Sequence, residues 1–221
     1  DLGRMSESVL ALALAAFFLN DRAAAERAWH YARVWFADPA TRMNPNLEYG
    51  QAIRGVTPGR GIGIIDTRAL IWCAQGLALL ESRFDDAAVS KQTRAWFADY
   101  TGWLLNSQKG KDEAGNGNNH STWWAAQVAA YALYTGNRAA EERVYEFYRT
   151  ELIPGQLKPD GSAPHEEART RSLSYSIMNL DGFALLCRMA KRSGRDLWSF
   201  RTKDGAGVLR KIGRASCRER V

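Results

Sequence analysis

Apolar residues recur at three- and four-residue steps along almost the whole chain, and no convincing stretch shows the two-residue alternation of a half-buried strand. Ile177, Leu180, Ala184 and Cys187 show the pattern in miniature, and similar faces run through 6–19, 22–37, 66–81, 85–106, 120–135, 138–152 and 172–193. This periodicity predicts an almost all-α fold of about seven helices. The connections are of two kinds: short turns at 20–21, 82–84 and 136–137, and long loops at 38–65, 107–119 and 153–171. They alternate, as they do when consecutive antiparallel helix hairpins set all short turns at one end and all long loops at the other. A weak internal echo supports the pairing, because Asn20-Asp-Arg-Ala-Ala-Ala-Glu-Arg27 returns as Gly136-Asn-Arg-Ala-Ala-Glu-Glu-Arg143. Long irregular loops in a compact domain usually carry function. The long-loop rim of a helical solenoid or toroid is therefore where chemistry is expected.

The chain has 221 residues, 46% of them hydrophobic and 24% charged, enough for one good-sized core and unlike a disordered segment or a mini-protein. The best apolar run, Val9–Leu19, is short of the roughly 18 residues a membrane span needs, so no membrane role is expected. Asp1 stands almost directly before a helical pattern, so the chain reads as starting inside a domain. Residues 212–221 read as a translated sequencing adapter and are set apart as a non-native tail. That leaves 1–211 as one domain. The tail contributes +2 to the formal net charge of +6, and the remaining +4 still suits an anionic partner. The arginines are spread over many helices without a continuous stripe, which argues against nucleic acid. Cys217 belongs to the tail, and Cys73 and Cys187 lie in apolar helical stretches, reading as buried free thiols rather than a bridge.

Two segments concentrate polar chemistry. Asn116-Gly-Asn-Asn-His-Ser-Thr-Trp-Trp124 puts three Asn and an imidazole at a helix start, where amides cap the helix and unpaired N–H groups favour an anion. Capping alone is one reading; contact with a carboxylate is the other. Trp123 and Trp124 are adjacent and cannot face the same way, so one indole could offer a surface for a sugar ring. The second segment, His165-Glu-Glu-Ala-Arg-Thr-Arg-Ser-Leu-Ser-Tyr175, places Arg169 and Arg171 ahead of Tyr175. Nearby guanidiniums favour a phenolate, which would make Tyr175 a usable proton-transfer group. The alternative is a core Tyr with surface arginines. Gly59-Arg-Gly-Ile-Gly63 lacks the full spacing of a phosphate loop and reads as a flexible loop. His30, beside Trp29 and Tyr31, reads as a packing residue. His120 and His165 have no metal-ligand spacing, and no cofactor is expected. Among paired carboxylates, only Glu166 or Glu167 could serve glycosidase chemistry.

Four ordered motifs now carry a resemblance: Arg42-Met-Asn-Pro-Asn-Leu-Glu-Tyr-Gly-Gln-Ala-Ile53, Gly59-Arg-Gly-Ile-Gly-Ile-Ile-Asp-Thr-Arg68, Asn118-Asn-His-Ser-Thr-Trp123 and Glu167-Ala-Arg-Thr-Arg-Ser-Leu-Ser-Tyr175. With them the chain resembles the alginate lyase superfamily of polysaccharide lyases across residues 4–211. The resemblance implies an incomplete (α/α)n toroid of antiparallel helix hairpins, an internal piece of a longer exported protein, periplasmic or secreted. It implies cleavage of 1,4-linked uronans by β-elimination, with an anionic polysaccharide, alginate or glucuronan, as partner. Asn119, His120 and Arg169 fall at the positions that neutralise or contact the substrate carboxylate, and Tyr175 at the proton-transfer position. Gln51, Arg60, Asn118, Trp123, Trp124 and Arg171 fall in the segments expected to bind substrate. Ser121-Thr-Trp-Trp124 departs from the Ser-Tyr-Trp of the mannuronan-cleaving branch, so the uronan stays open. A toroid hydrolase acting on uronates and a non-catalytic carbohydrate-binding protein are the competing readings. No oligomeric state follows.

Overall fold

The computed structural model describes the backbone of residues 1–218 and the side chains of residues 1–213, so most of the supposed adapter tail lies outside the described side chains. The elements are α1 (Leu2–Leu19), α2 (Arg22–Ala32) continued by a π turn (Arg33–Ala37), a 3-10 helix (Gly61–Thr67) leading into α3 (Leu70–Glu81), α4 (Ala87–Asn106), α5 (Gln108–Ala114) and α6 (Asn119–Thr135). They continue with α7 (Arg138–Phe147) and its π turn (Tyr148–Leu152), α8 (Ile153–Gln156), α9 (Pro164–Glu167), α10 (Ser172–Arg192) and α11 (Val208–Arg218). All seven expected helices are present and the described residues form no strand, only an isolated bridge between Ile53 and Thr57. The long loops are less irregular than expected, since α5 occupies much of 107–119 and α8 and α9 punctuate 153–171. The chain divides into two compact units, one of Asp1–Lys111 with Ala130–Arg138, the other of Asp112–Ala129 with Ala139 onward.

In the first unit, α1 and α3 run side by side in one direction. Gly76 packs against the backbone of Val9 and Leu10, and one full stretch later Arg83 donates to the Phe17 carbonyl at 2.9 Å. The turns that end these two helices therefore lie at the same end, as the alternation of connections requires. The sequence echo also has its cause: Asn20 (φ 57°) and Gly136 (φ 77°) end their helices in the left-handed conformation, and Asp21 then caps α2 by accepting from the Ala24 N–H at 3.0 Å. Phe97, wholly buried, sits among the rings of Phe36, Trp96, Tyr131 and Tyr134 at centroid distances of 5.0–5.4 Å. Glu81 gathers Arg94, Ser90 and Tyr134 into one partly buried network. One expectation is corrected here: α1 has 18 residues and a mean hydropathy of 1.5, so by length and composition it does reach a membrane span. Its Met5, Val9, Ala13 and Ala16 are nevertheless buried within this unit. His30 is corrected too, because its ring is exposed on α2 while Trp29 turns inward and donates to the Phe84 carbonyl at 2.6 Å.

In the second unit, the first half of α6 is almost wholly buried, its polar Asn119, Ser121, Thr122 and Gln127 included, while His120 keeps partial exposure. Trp124 meets Phe147 of α7 edge to face at 5.4 Å. On α10, Gly182 lies where any side chain would strike Thr122, and the Met178 carbonyl accepts from the Trp123 indole at 3.1 Å. Thr122 and Asn179 both donate to Gln156 Oε1, tying α6 and α10 to the end of α8. Cys73 and Cys187 are buried free thiols, as expected. Burial pushes the Cys187 thiol up to about 11, against the lowering effect of its hydrogen bond with Tyr148, and Cys73 higher still. An aromatic disulfide reagent at neutral pH should leave both unlabelled in the folded protein and label both after denaturation; fast labelling of either in the native state would refute their burial.

Candidate active site

Helix α6 begins where Asn118 accepts the His120 backbone N–H on its Oδ1 at 2.9 Å. The capping reading therefore holds for Asn118. His120 is the second residue of the helix, and its side chain is 19% exposed. Its Nδ1 lies 2.8 Å from Oε1 of Glu113, a side chain buried to 0% exposure at the end of α5. The other Glu113 oxygen accepts from Asn116 Nδ2 at 2.8 Å. An ionised carboxylate in this position accepts only, so Nδ1 is the donor of the pair and Nε2 is the ring nitrogen not engaged by Glu113. Asn116 and Glu113 thus act on the imidazole in series.

Asn119, expected against a substrate carboxylate, is completely buried in this structure. Its backbone N–H reaches Glu166 Oε1 at 2.5 Å and its Nδ2 lies 3.1 Å from both Glu166 oxygens. The amide N–H groups are committed inside the protein, on Glu166. Glu166 belongs to α9, and three residues on, Arg169 is exposed with its backbone N–H bonded to the Glu166 carbonyl at 3.2 Å. The Arg169 guanidinium lies 4.1 Å from the centre of the Tyr175 ring, one turn into α10. It therefore covers the face of a half-buried phenol. Arg171 is exposed at the start of α10.

Trp123 and Trp124 depart from expectation: both are buried, one with its indole N–H on the Met178 carbonyl and the other packed on Phe147. Neither indole presents an open face for a sugar ring in this structure. Gln51 and Arg60 lie in the first unit and bind each other: Arg60 donates to the Gln51 carbonyl and to Gln51 Oε1, both at 3.2 Å, while Gln51 Nε2 donates to Asp66 at 2.9 Å. Gln51 is held at φ 48°, a left-handed geometry uncommon for a side-chain-bearing residue. Gly59 and Gly63 allow this fold-back, because a Cβ on Gly59 would stand 2.0 Å from the Glu48 carbonyl oxygen and one on Gly63 2.7 Å from Gly50. The expected flexible loop is thus a packed crossing of backbones.

Two functional side chains escaped the sequence reading, Glu113 and Glu166 in its structural role. Glu113 stands seven residues before His120 in a polar stretch with no apolar face, so nothing marked α5 as a helix. The one available signal was position: a carboxylate a few residues ahead of a helix-start His. Among the described residues no group of three or more His, Cys, Asp or Glu side chains is placed to hold a metal.

These features define a class first: an all-α protein of helix hairpins in which a carboxylate-oriented imidazole and an arginine-covered phenol share one unit. The model of the alginate lyase family matches residues 1–214, and the chain belongs to that family. It is also similar to an alginate lyase from Bacteroides ovatus known from its crystal structure, with 34% sequence identity and a TM-score of 0.91 over 96% of this chain and 57% of that one. The chain spans little more than half the length of that protein. The likeness bears out the expected fold class, all-α helix hairpins of the toroid type. No curated protein matches the chain.

Proposed function

We propose that the protein is a polysaccharide lyase that cleaves 1,4-linked uronans by β-elimination. The observation that carries this reading is the His120–Glu113 pair, an imidazole at the start of α6 whose Nδ1 lies 2.8 Å from a buried carboxyl group, in a chain of the alginate lyase family. The C5 proton of a uronate is weakly acidic until its carboxylate is neutralised, so an exposed cation beside the reacting sugar lowers the barrier to proton removal. Arg169 supplies that charge. Tyr175 donates a proton to the departing O4, and the base is His120 through Nε2 or Tyr175 itself, according to which sugar face carries the C5 proton. The C5–H and C4–O bonds break as the C4–C5 double bond forms, and the released proton ends on the base.

The chain's positive charge suits a polyanion, alginate or glucuronan, and we place the protein in the periplasm or outside the cell, where such polymers occur. The hydrolase alternative needs two carboxylates flanking the scissile bond. Glu166 is buried on Asn119, and Glu167 accepts the Ala163 N–H at 3.1 Å, which occupies both candidates.

Incubation with polymannuronate, polyguluronate and glucuronan, followed by the ultraviolet absorbance of the conjugated unsaturated uronate, tests the reading. New reducing ends without that absorbance would establish hydrolysis instead, and binding without either would establish a binding protein. Glu113→Ala should lower kcat by about 10²-fold, within the range positioned proton transfer contributes, with a smaller change in KM. An unchanged kcat would remove Glu113 from the mechanism.

A further inference from the structure

Glu166 is a buried carboxyl group whose two oxygens are both held by one residue, Asn119. Those three contacts join two segments far apart in sequence. One is the first turn of α6, where Asn119 immediately precedes His120. The other is α9, whose last turn passes directly into Arg169 through the Glu166 carbonyl. Burying a carboxyl group this deeply is costly unless it is hydrogen-bonded. Its retention is accounted for if the contact sets a geometry. Asn119 Oδ1 is meanwhile buried without a hydrogen-bond partner, so the amide is oriented by Glu166 at the expense of its own oxygen.

We infer that Glu166 is a positioning residue: through Asn119 it fixes the His120 helix start and the Arg169 loop relative to each other, so that proton removal and charge neutralisation act on one sugar. The inference rests on the lyase reading above. It assigns the buried Glu166–Asn119 contact to catalysis without either side chain touching substrate.

Glu166→Ala and Glu166→Gln test it, with kcat and KM measured on the uronan that the unaltered protein cleaves and with helix content followed by circular dichroism. Glu166→Ala should lower kcat on the order of 10²-fold, as expected for a displaced catalytic group, and raise KM severalfold because Arg169 is released too. A merely structural loss would reduce the active fraction and leave KM in place, which overturns the inference. Glu166→Gln should recover activity to within a few-fold, since a Gln amide can accept the Asn119 N–H while donating to the unpartnered Oδ1. A Gln variant as impaired as Ala, or an Ala variant as active as the unaltered protein, overturns it. If Glu166→Ala does not fold, Asn119→Ala, which keeps only the backbone hydrogen bond, takes its place with the same expectations. Should the unaltered protein release no unsaturated product from any uronan, the lyase reading fails. The clamp is then decided by the His120 ring nitrogen resonances: a shift in the Ala variant that Gln restores upholds it, and unchanged resonances overturn it.

Discussion

Tyr175→Phe should reduce the release of unsaturated uronate by about 10²- to 10⁴-fold, the range that a positioned proton donor contributes. The substitution deletes one hydroxyl and leaves the ring on which the Arg169 guanidinium rests at 4.1 Å. Arg169 therefore keeps its place, and KM should change far less than kcat. That split separates the proton-transfer role from the competing role of Tyr175 as a platform that merely holds Arg169, under which the Phe variant would be as active as the unaltered protein. The measurement is the initial rate of ultraviolet absorbance increase at saturating polymer. Combining Tyr175→Phe with His120→Ala should cost little more than the worse single change, because groups that act in one step are not additive. Additive losses would place the two residues in separate steps.

The helices were legible because their apolar faces are periodic and their boundaries carry cap chemistry, as at Asn20-Asp21, where a left-handed residue ends one helix and a carboxylate starts the next. Helix α5 was not. Its residues, Gln108-Lys-Gly-Lys-Asp-Glu-Ala114, show no apolar stripe, and Gly110 is needed because a Cβ there would lie 2.1 Å from the Leu104 carbonyl oxygen. Lys109 on Glu48 and Glu113 on His120 tie the helix to its surroundings, contacts that its own sequence does not announce. The same division runs through the site. The segments around His120 and Tyr175 stood out by residue type and order, but what each side chain touches depends on partners 6 to 47 positions away. Glu113 and Glu166 thereby gained roles that their own surroundings in sequence do not announce. The tryptophans show the opposite case: an aromatic pair next to polar amides suggested a cleft, whereas both indoles are buried in the packing of α6 against α7 and α10.

Phe97→Ala should destabilise the first unit by about 3–5 kcal/mol, the range for removing a buried aromatic ring. The ring has no exposed surface and touches four other rings. Alanine would leave a cavity bounded by residues that are themselves braced. Tyr131 donates to the Thr67 carbonyl at 3.2 Å, and Tyr134 donates to Glu81 at 2.7 Å. Neither phenol can swing into the space without giving up its hydrogen bond, so relaxation is limited and the cost falls toward the upper part of that range. For a domain with about 5–15 kcal/mol of total stability, this loss is large enough to unfold a substantial fraction of the protein. Phe18→Ala on α1 is the control, because that ring is 74% exposed and surface substitutions usually stay within about 0.5 kcal/mol. Urea unfolding followed by tryptophan fluorescence reads Trp96 beside the substituted position. A midpoint for Phe97→Ala that moves no further than that of Phe18→Ala would mean that the ring cluster is not the core of this unit.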